Sequence, residues 1–270
     1  MARDGEGAGG GLALVTGASG GIGLELARVL ARAGHDLVLT ARGGGKLSVV
    51  AEELSRAHGG RVETVTADLA DPAGPAALVA ALRARGLDPE ILVNNAGVGM
   101  HGPFADADEA ALLAMLQLNV MSVTQLTRRL APAMRARGRG RILNVASTAA
   151  FVPGPFMAVY YASKAYVLSL SVALAEELSG SGVTVTALCP GATRTGFDVA
   201  AGAARTKLFR SSRVMEAAEV ARAGYLGMMA GKSVVVPGLV NKALTASSGL
   251  GPRRLAARIA RSLQDPADMT

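Results

Sequence analysis

Tyr160 and Lys164 stand four residues apart in a stretch with helical patterning, so their side chains share one helix face. A free phenol ionises at about 10, and lowering that by about three pH units takes about 4 kcal/mol of differential stabilisation. A lysine ammonium on the same face supplies a nearby positive charge of the right sign. A tyrosine tuned in this way protonates an oxygen that is gaining negative charge, and acts as the base in the reverse direction. Tyr161 is three residues from Lys164 and also shares its face, so spacing alone leaves two candidates.

A second constellation lies near the start of the chain, in Thr16-Gly17-Ala18-Ser19-Gly20-Gly21-Ile22-Gly23. Between a strand and a helix, such glycines let backbone N–H groups approach a pyrophosphate while the helix presents its positive end. Gly17 permits the sharp turn, Gly21 the close approach and Gly23 the tight helix-on-strand packing, which is the pattern of a dinucleotide site. No Lys-Ser/Thr pair follows, which excludes a nucleoside-triphosphatase loop. The next strand ends in Thr40-Ala41-Arg42, with no acid to meet a ribose 2′-hydroxyl. Arg42 suits a 2′-phosphate instead, so the expected cofactor is NADP(H) rather than NAD(H). Lys46 reads as helix surface, and Asp68-Leu69 would edge the adenine ring. An oxidised nicotinamide would then add a second positive charge beside the tyrosine.

The elements that must position these residues alternate along the chain. Apolar runs at 12–16, 36–40, 61–67, 91–94, 141–146, 183–189 and 233–236 read as strands. Helical patterns fall at 24–33, 46–58, 73–85, 108–137, 157–180 and 216–229. Strands that are apolar throughout belong to a sheet covered on both faces, and repeated β-α units make it parallel. The expected fold is therefore α/β, a Rossmann-like doubly wound parallel β-sheet with helices on both faces in a single domain. The expected divisions are a flexible start at 1–11, the catalytic domain at 12–238 and a basic amphipathic extension at 239–270.

Composition narrows the function. Of 270 residues, half are hydrophobic and 3% aromatic with no Trp, which disfavours a base-stacking nucleic-acid surface. His35, His58 and His101 lack metal-ligand spacing, so no metal site is expected. The single cysteine, Cys189, excludes an internal disulfide and reads as an inert buried thiol. With no apolar run of membrane-spanning length and no signal-peptide pattern, a soluble, cytoplasmic protein is expected. The net charge of +7 is concentrated between Arg205 and Arg261, where eleven Lys/Arg face two acids.

Asn94-Asn95-Ala96-Gly97, Ser147, Tyr160-Tyr161-Ala162-Ser163-Lys164 and the Thr-Gly-x-x-x-Gly-x-Gly turn together resemble the short-chain dehydrogenase/reductase family, in its NADP-preferring type. The likeness runs from about Leu12 to Pro237; Ser147 lies 13 residues before Tyr160 and Asn119 lies 28 before Ser147. The resemblance implies a catalytic set of Asn119, Ser147, Tyr160 and Lys164 and favours Tyr160 over Tyr161. It assigns Ser147 to hold the substrate oxygen, Lys164 to grip the nicotinamide ribose as well, and Asn119 to support a water chain behind Lys164. It places Asn95, Ala96, Gly97, Pro190, Gly191 and Thr195 against the cofactor, and implies a homodimer or homotetramer.

The stretches 98–104 and 151–157 are expected to border the substrate cleft, and both are largely apolar, which suggests a lipophilic or acyl-bearing carbonyl substrate. Positions 196–213 correspond to a mobile lid in the family, with Arg205, Lys207, Arg210 and Arg213 placed to meet an acidic carrier or solvent. In 252–263, Leu255, Ile259 and Leu263 form a stripe beside Arg254, Arg258 and Arg261. That pattern fits a helix on an anionic membrane surface, on the domain itself or on a second subunit. The leading expectation is an NADPH-dependent carbonyl reductase; a cofactor-sensing protein, a membrane-surface protein and a redox-neutral epimerase or dehydratase are the alternatives.

Overall fold

The computed structural model describes residues 10–210, 214–247 and 252–265. Seven parallel strands form one sheet: β1 (Gly10–Thr16), β2 (His35–Ala41), β3 (Val62–Thr66), β4 (Ile91–Asn94), β5 (Gly140–Val145), β6 (Val183–Leu188) and, two short strands later, β9 (Val234–Val235). Their order is β3-β2-β1-β4-β5-β6-β9. The short pair β7 (Thr193–Arg194) and β8 (Met215–Glu216) lies apart from that sheet.

The apolar strands are apolar because both faces are covered. Ala13 and Val15 of β1, Leu37 and Leu39 of β2, and Ile91 and Val93 of β4 enter one core cluster. Their neighbours Leu14, Val38 and Leu92 point the other way into a second cluster. The first core is closed by α1 (Gly21–Arg32), α2 (Gly44–His58) and, later in the chain, α9 (Ala217–Met229), through Leu26, Leu47 and Val220. The second is closed by α3 (Gly74–Ala84) and by α5 (Ser122–Ala136), through Leu78 and Leu126. α6 (Ala158–Glu177) packs on the same face, against β6.

The helix expected over 108–137 is one rod in three parts. α4 (Glu109–Leu116) leads into a π-helical turn at Gln117–Met121, which leads into α5. Asn119 lies inside that turn. Glu109–Ala136 and Ala158–Glu177 are both long and apolar enough to cross a membrane by length and composition, against the expectation that no run reaches that length. Both pack on the sheet, with 39% and 28% of their apolar windows buried. The remaining helices are α7 (Phe197–Ala200), α8 (Lys207–Arg210), α10 (Leu239–Ser247) and α11 (Arg253–Gln264).

The strand order reverses between β1 and β4. In a doubly wound sheet, helices leave toward opposite faces at that point and a crevice opens outside the carboxyl ends of the strands. The loops following β1, β4, β5 and β6 all converge on it.

Candidate active site

The glycine loop after β1 is built by close backbone approach. Gly17 (φ 65°) and Gly21 (φ 56°) adopt left-handed conformations that a side chain would strain. A Cβ on Gly23 would stand 2.4 Å from the Gly17 carbonyl oxygen, so α1 could not seat against the loop. The loop is tied to β4 by Asn95, whose Nδ2 donates to the carbonyl oxygens of Thr16 (2.9 Å) and Gly17 (3.2 Å). Thr16 Oγ1 accepts from the backbone N–H groups of Asn95 and Ala96 (2.9 and 3.0 Å). No side chain caps the start of α1, which leaves its first turn of N–H groups for an anion.

One cleft of about 360 Å³ runs from this loop to the last helix. Of the expected site residues, Gly17, Gly21, Ile22, Asn95, Ala96, Gly97, Ser147, Tyr160, Lys164, Pro190, Gly191 and Thr195 line it. Ser19, Gly23, Arg42, Asp68, Leu69 and Asn119 do not. Arg42 lies exposed just past β2, with no ion-pair partner among the described residues. Asp68 Oδ1 is engaged in its own turn, accepting from the Ala70 N–H (3.0 Å). The Leu69 side chain is 4% exposed and packs in the core cluster that holds Leu14 and Val38.

Ser147 follows β5 and caps a short 3-10 turn. Its Oγ accepts from the Ala149 N–H (3.1 Å) and donates to the Pro190 carbonyl (3.4 Å). Tyr160 and Lys164 lie on the first turns of α6. The Tyr160 ring packs against Phe197, with centroids 5.3 Å apart, and Ser147 lines the same cleft. Burial pushes this phenol up to about 12, with Ser147 pulling it only part of the way back. The depression expected from the Lys164 spacing is not seen; desolvation of a charged phenolate is the largest influence, followed by Ser147 and then Tyr161.

Lys164 is buried, and its Nζ donates to the Val145 carbonyl (2.9 Å). Burial draws the ammonium down to about 8, opposed by the Cys189 side chain. Cys189 is buried at the end of β6, and burial raises its thiol to about 12 although the Ser147 backbone and Lys164 both act to lower it. Asn119 stands behind these groups with its amide in use. Its Oδ1 accepts from the Val98 N–H (3.0 Å), and its Nδ2 donates to the Val98 carbonyl (2.9 Å) and Ser163 Oγ (3.1 Å). A Cβ on Gly97 would meet Asn119 Oδ1 and Lys164 Nζ at 3.2 and 3.3 Å, so all three crowd one point.

The far end of the cleft is apolar. Val98, Gly99, Ala149 and Met157 line it, together with Phe197, Leu208 and Phe209 from 196–213. The rest of 98–104 borders a separate cavity, where Met100, His101, Pro103 and Phe104 meet Phe156. Arg205, Lys207 and Arg210 are exposed, and Arg213 lies outside the described residues. Tyr161 is buried beside Tyr160, with a Cβ on Gly154 only 2.3 Å from its ring. Gln264 of α11 also lines the cleft, a contact that sequence reasoning missed because it lies at least 55 positions along the chain from every other lining group.

The short chain dehydrogenase family profile matches residues 11–206. The chain is a short-chain dehydrogenase/reductase. As an oxidoreductase of this family it is similar to a granaticin polyketide synthase protein of Streptomyces violaceoruber provisionally named ketoacyl reductase 1. The two are 41% identical over 186 residues, 68% of each chain. Among solved structures, this short-chain dehydrogenase/reductase resembles a short-chain dehydrogenase from Sphingobium yanoikuyae in complex with NADPH. The TM-score is 0.79 at 37% identity, covering 89% of this chain and 94% of the other. The bulky-bulky ketone specific alcohol dehydrogenase from Comamonas testosteroni superposes with a TM-score of 0.76 at 32% identity, covering 90% and 94%.

Proposed function

We propose that this short-chain dehydrogenase/reductase reduces an apolar ketone or 3-oxoacyl-type carbonyl to the alcohol with NADPH. The observation that carries the reading is Tyr160 beside Ser147 in the lining of an apolar-ended cleft, with Lys164 Nζ 5.8 Å from the centre of its ring. The glycine loop and uncapped start of α1 fit a pyrophosphate, and Lys164 and Thr195 fit the nicotinamide half. When bound, the reduced nicotinamide supplies hydride to the carbonyl carbon. Ser147 Oγ holds the carbonyl oxygen, and Tyr160 Oη gives it a proton, so that C=O becomes CH–OH. The phenolate left behind faces the Lys164 ammonium and regains its proton from solvent. A phenol raised to about 12 is protonated at neutral pH, the state in which it can act as the acid. Arg42 would meet the 2′-phosphate; a charge-assisted bond of about 1.5–3 kcal/mol would give roughly ten- to a hundredfold preference over NADH.

The test is NADPH consumption against apolar ketones and 3-oxoacyl thioesters, with NADH in parallel. Oxidation of NADPH with formation of the matching alcohol is expected. Tight NADPH binding with no turnover across the series overturns the reductase reading in favour of a sensor.

A second reading, compatible with the first, concerns assembly. The α11 stripe of Leu255, Ile259 and Leu263 is 53%, 56% and 43% exposed beside Arg254, Arg258 and Arg261. This pairing of apolar and cationic faces supports docking on an anionic membrane surface. Cosedimentation with phosphatidylglycerol vesicles, lost in neutral phosphatidylcholine and in Ile259→Glu, is the expected result. Exposed Leu113, Met121, Tyr166 and Val172 along α4 to α6 support a homo-oligomer, read by its mass in solution. Dissociation of that oligomer by Ile259→Glu would instead assign the α11 stripe to a subunit contact.

A further inference from the structure

The last described helix is held over the cleft by four contacts. His101 Nε2 donates to the Gln264 carbonyl (3.0 Å), and Gln264 Nε2 donates to Tyr161 Oη (2.9 Å). The Lys207 N–H donates to the Asp265 carbonyl (3.2 Å), joining α11 to α8. The Arg261 guanidinium lies 5.3 Å from the centre of the Phe156 ring. Phe156 is the one non-glycine residue with positive φ (64°) among the described residues, a strained conformation that presents its ring to His101 and Arg261.

Gln264 is 1% exposed, yet its Oε1 has no hydrogen-bond partner and its side chain lines the same cleft as Tyr160, Met157, Phe197 and Phe209. A buried carbonyl oxygen loses its water and gains nothing in return, so nearly all such groups in native proteins are paired. Tyr161 Oη holds the amide nitrogen, and the side chain borders the apolar part of the cleft, so a ligand there can bring the oxygen a partner.

We infer that Gln264 is a specificity-determining residue that accepts a hydrogen bond from a hydroxyl carried by the substrate, away from the carbonyl being reduced. Around it the lining is apolar, so a hydroxyl at this point is recognised by Gln264 while the rest of the ligand is recognised by burial. A hydroxyl also satisfies the amide if it turns over, because it both donates and accepts. The substrate class is therefore a largely apolar hydroxyketone. This deepens the reductase reading and rests on it.

The experiment is NADPH-dependent reduction of a series of linear ketones with a terminal hydroxyl at increasing distance from the carbonyl, each paired with its methyl ether. With wild-type enzyme, one spacing is expected to favour the hydroxyl over the ether in KM by about tenfold, the scale of one hydrogen bond. Gln264→Met keeps the volume and removes the acceptor, and is expected to bring that ratio close to one. Tyr161→Phe keeps Oε1 but releases the amide, and is expected to lower the ratio less. NADPH affinity, read by fluorescence, reports that both variants remain folded. A hydroxyl-to-ether ratio that Gln264→Met leaves unchanged at every spacing overturns the inference alone, as does a wild-type enzyme that shows no preference at any spacing. Failure of the wild-type enzyme to reduce any member of the series overturns the reductase reading and this inference with it.

Discussion

Lys164 stands with its Nζ 5.8 Å from the centre of the Tyr160 ring while donating to the Val145 carbonyl at 2.9 Å. The ammonium is thus anchored to β5 and acts on the phenol through space. Burial has brought it from its ordinary 10.5 to about 8, so it loses its proton as pH rises through about 8. With Tyr160 held at about 12, the first group to titrate on the alkaline side is the lysine. For ketone reduction, kcat/KM is expected to be level from pH 6 and to fall above about pH 8. A profile that stays level to pH 10 would contradict this. The same shift acts on stability with the opposite sense: the buried ammonium is unfavourable below about 8, and that penalty is relieved as pH climbs toward 10.5.

Tyr160→Phe removes the proton donor and keeps the ring against Phe197. Turnover is expected to drop by about 10²–10⁴, the usual worth of a general acid. NADPH affinity, measured by fluorescence, is expected to change little. Retention of turnover in Tyr160→Phe together with its loss in Tyr161→Phe would assign the proton transfer to the neighbouring phenol.

Arg42→Ala is expected to raise KM for NADPH by roughly ten- to a hundredfold while leaving KM for NADH alone. The side chain lies exposed and outside the cleft lining, so the fold should be unaffected. Steady-state kinetics with both cofactors decide the matter, and an unchanged ratio of the two removes the phosphate clamp.

Asn119→Ala deletes three hydrogen bonds that join Val98 and Ser163 through one buried amide. Leaving those partners unpaired is expected to lower the unfolding free energy by about 1–3 kcal/mol. Urea denaturation provides the measurement. Loss of activity without loss of stability would instead favour the water-chain role that the family resemblance implies.

Cys189 offers a check on the strand end itself. With 0% exposure and a thiol raised to about 12, it should resist thiol-directed reagents at pH 8 in the folded protein. In urea, one thiol per chain should react. Rapid labelling of the native protein would mean that the end of β6 opens.

The sheet was legible because its signal is local. Runs such as Leu12–Thr16 and Ile91–Asn94 are apolar at every position but the last, and each feeds both core clusters through alternate residues. The glycine loop and the Tyr160–Lys164 pair were legible for the same reason, since each is a spacing within a few residues. What escaped depends on three dimensions. The π turn holding Asn119 differs from an α-helix only in which carbonyl each N–H finds, and composition carries little of that difference. The direction of the Tyr160 shift follows from desolvation by groups that include Phe197, 37 residues away in the chain. In α11 the leucine stripe drew the eye, yet Ala260 and Gln264 face the protein and the leucines face out. The small alanines that allow close approach were the available clue.

The roof over the cleft has a consequence for how kinship should be interpreted. The family profile ends at residue 206, whereas α11 and Gln264 lie beyond it. The proposed selectivity residue Gln264 thus lies on a different stretch of the polypeptide from Ser147, Tyr160 and Lys164, free to diverge at its own rate. A relative sharing every residue of the proton-transfer set can still differ in diet. Grafting a foreign segment in place of 252–265 offers a route to new selectivity with Ser147, Tyr160 and Lys164 left untouched.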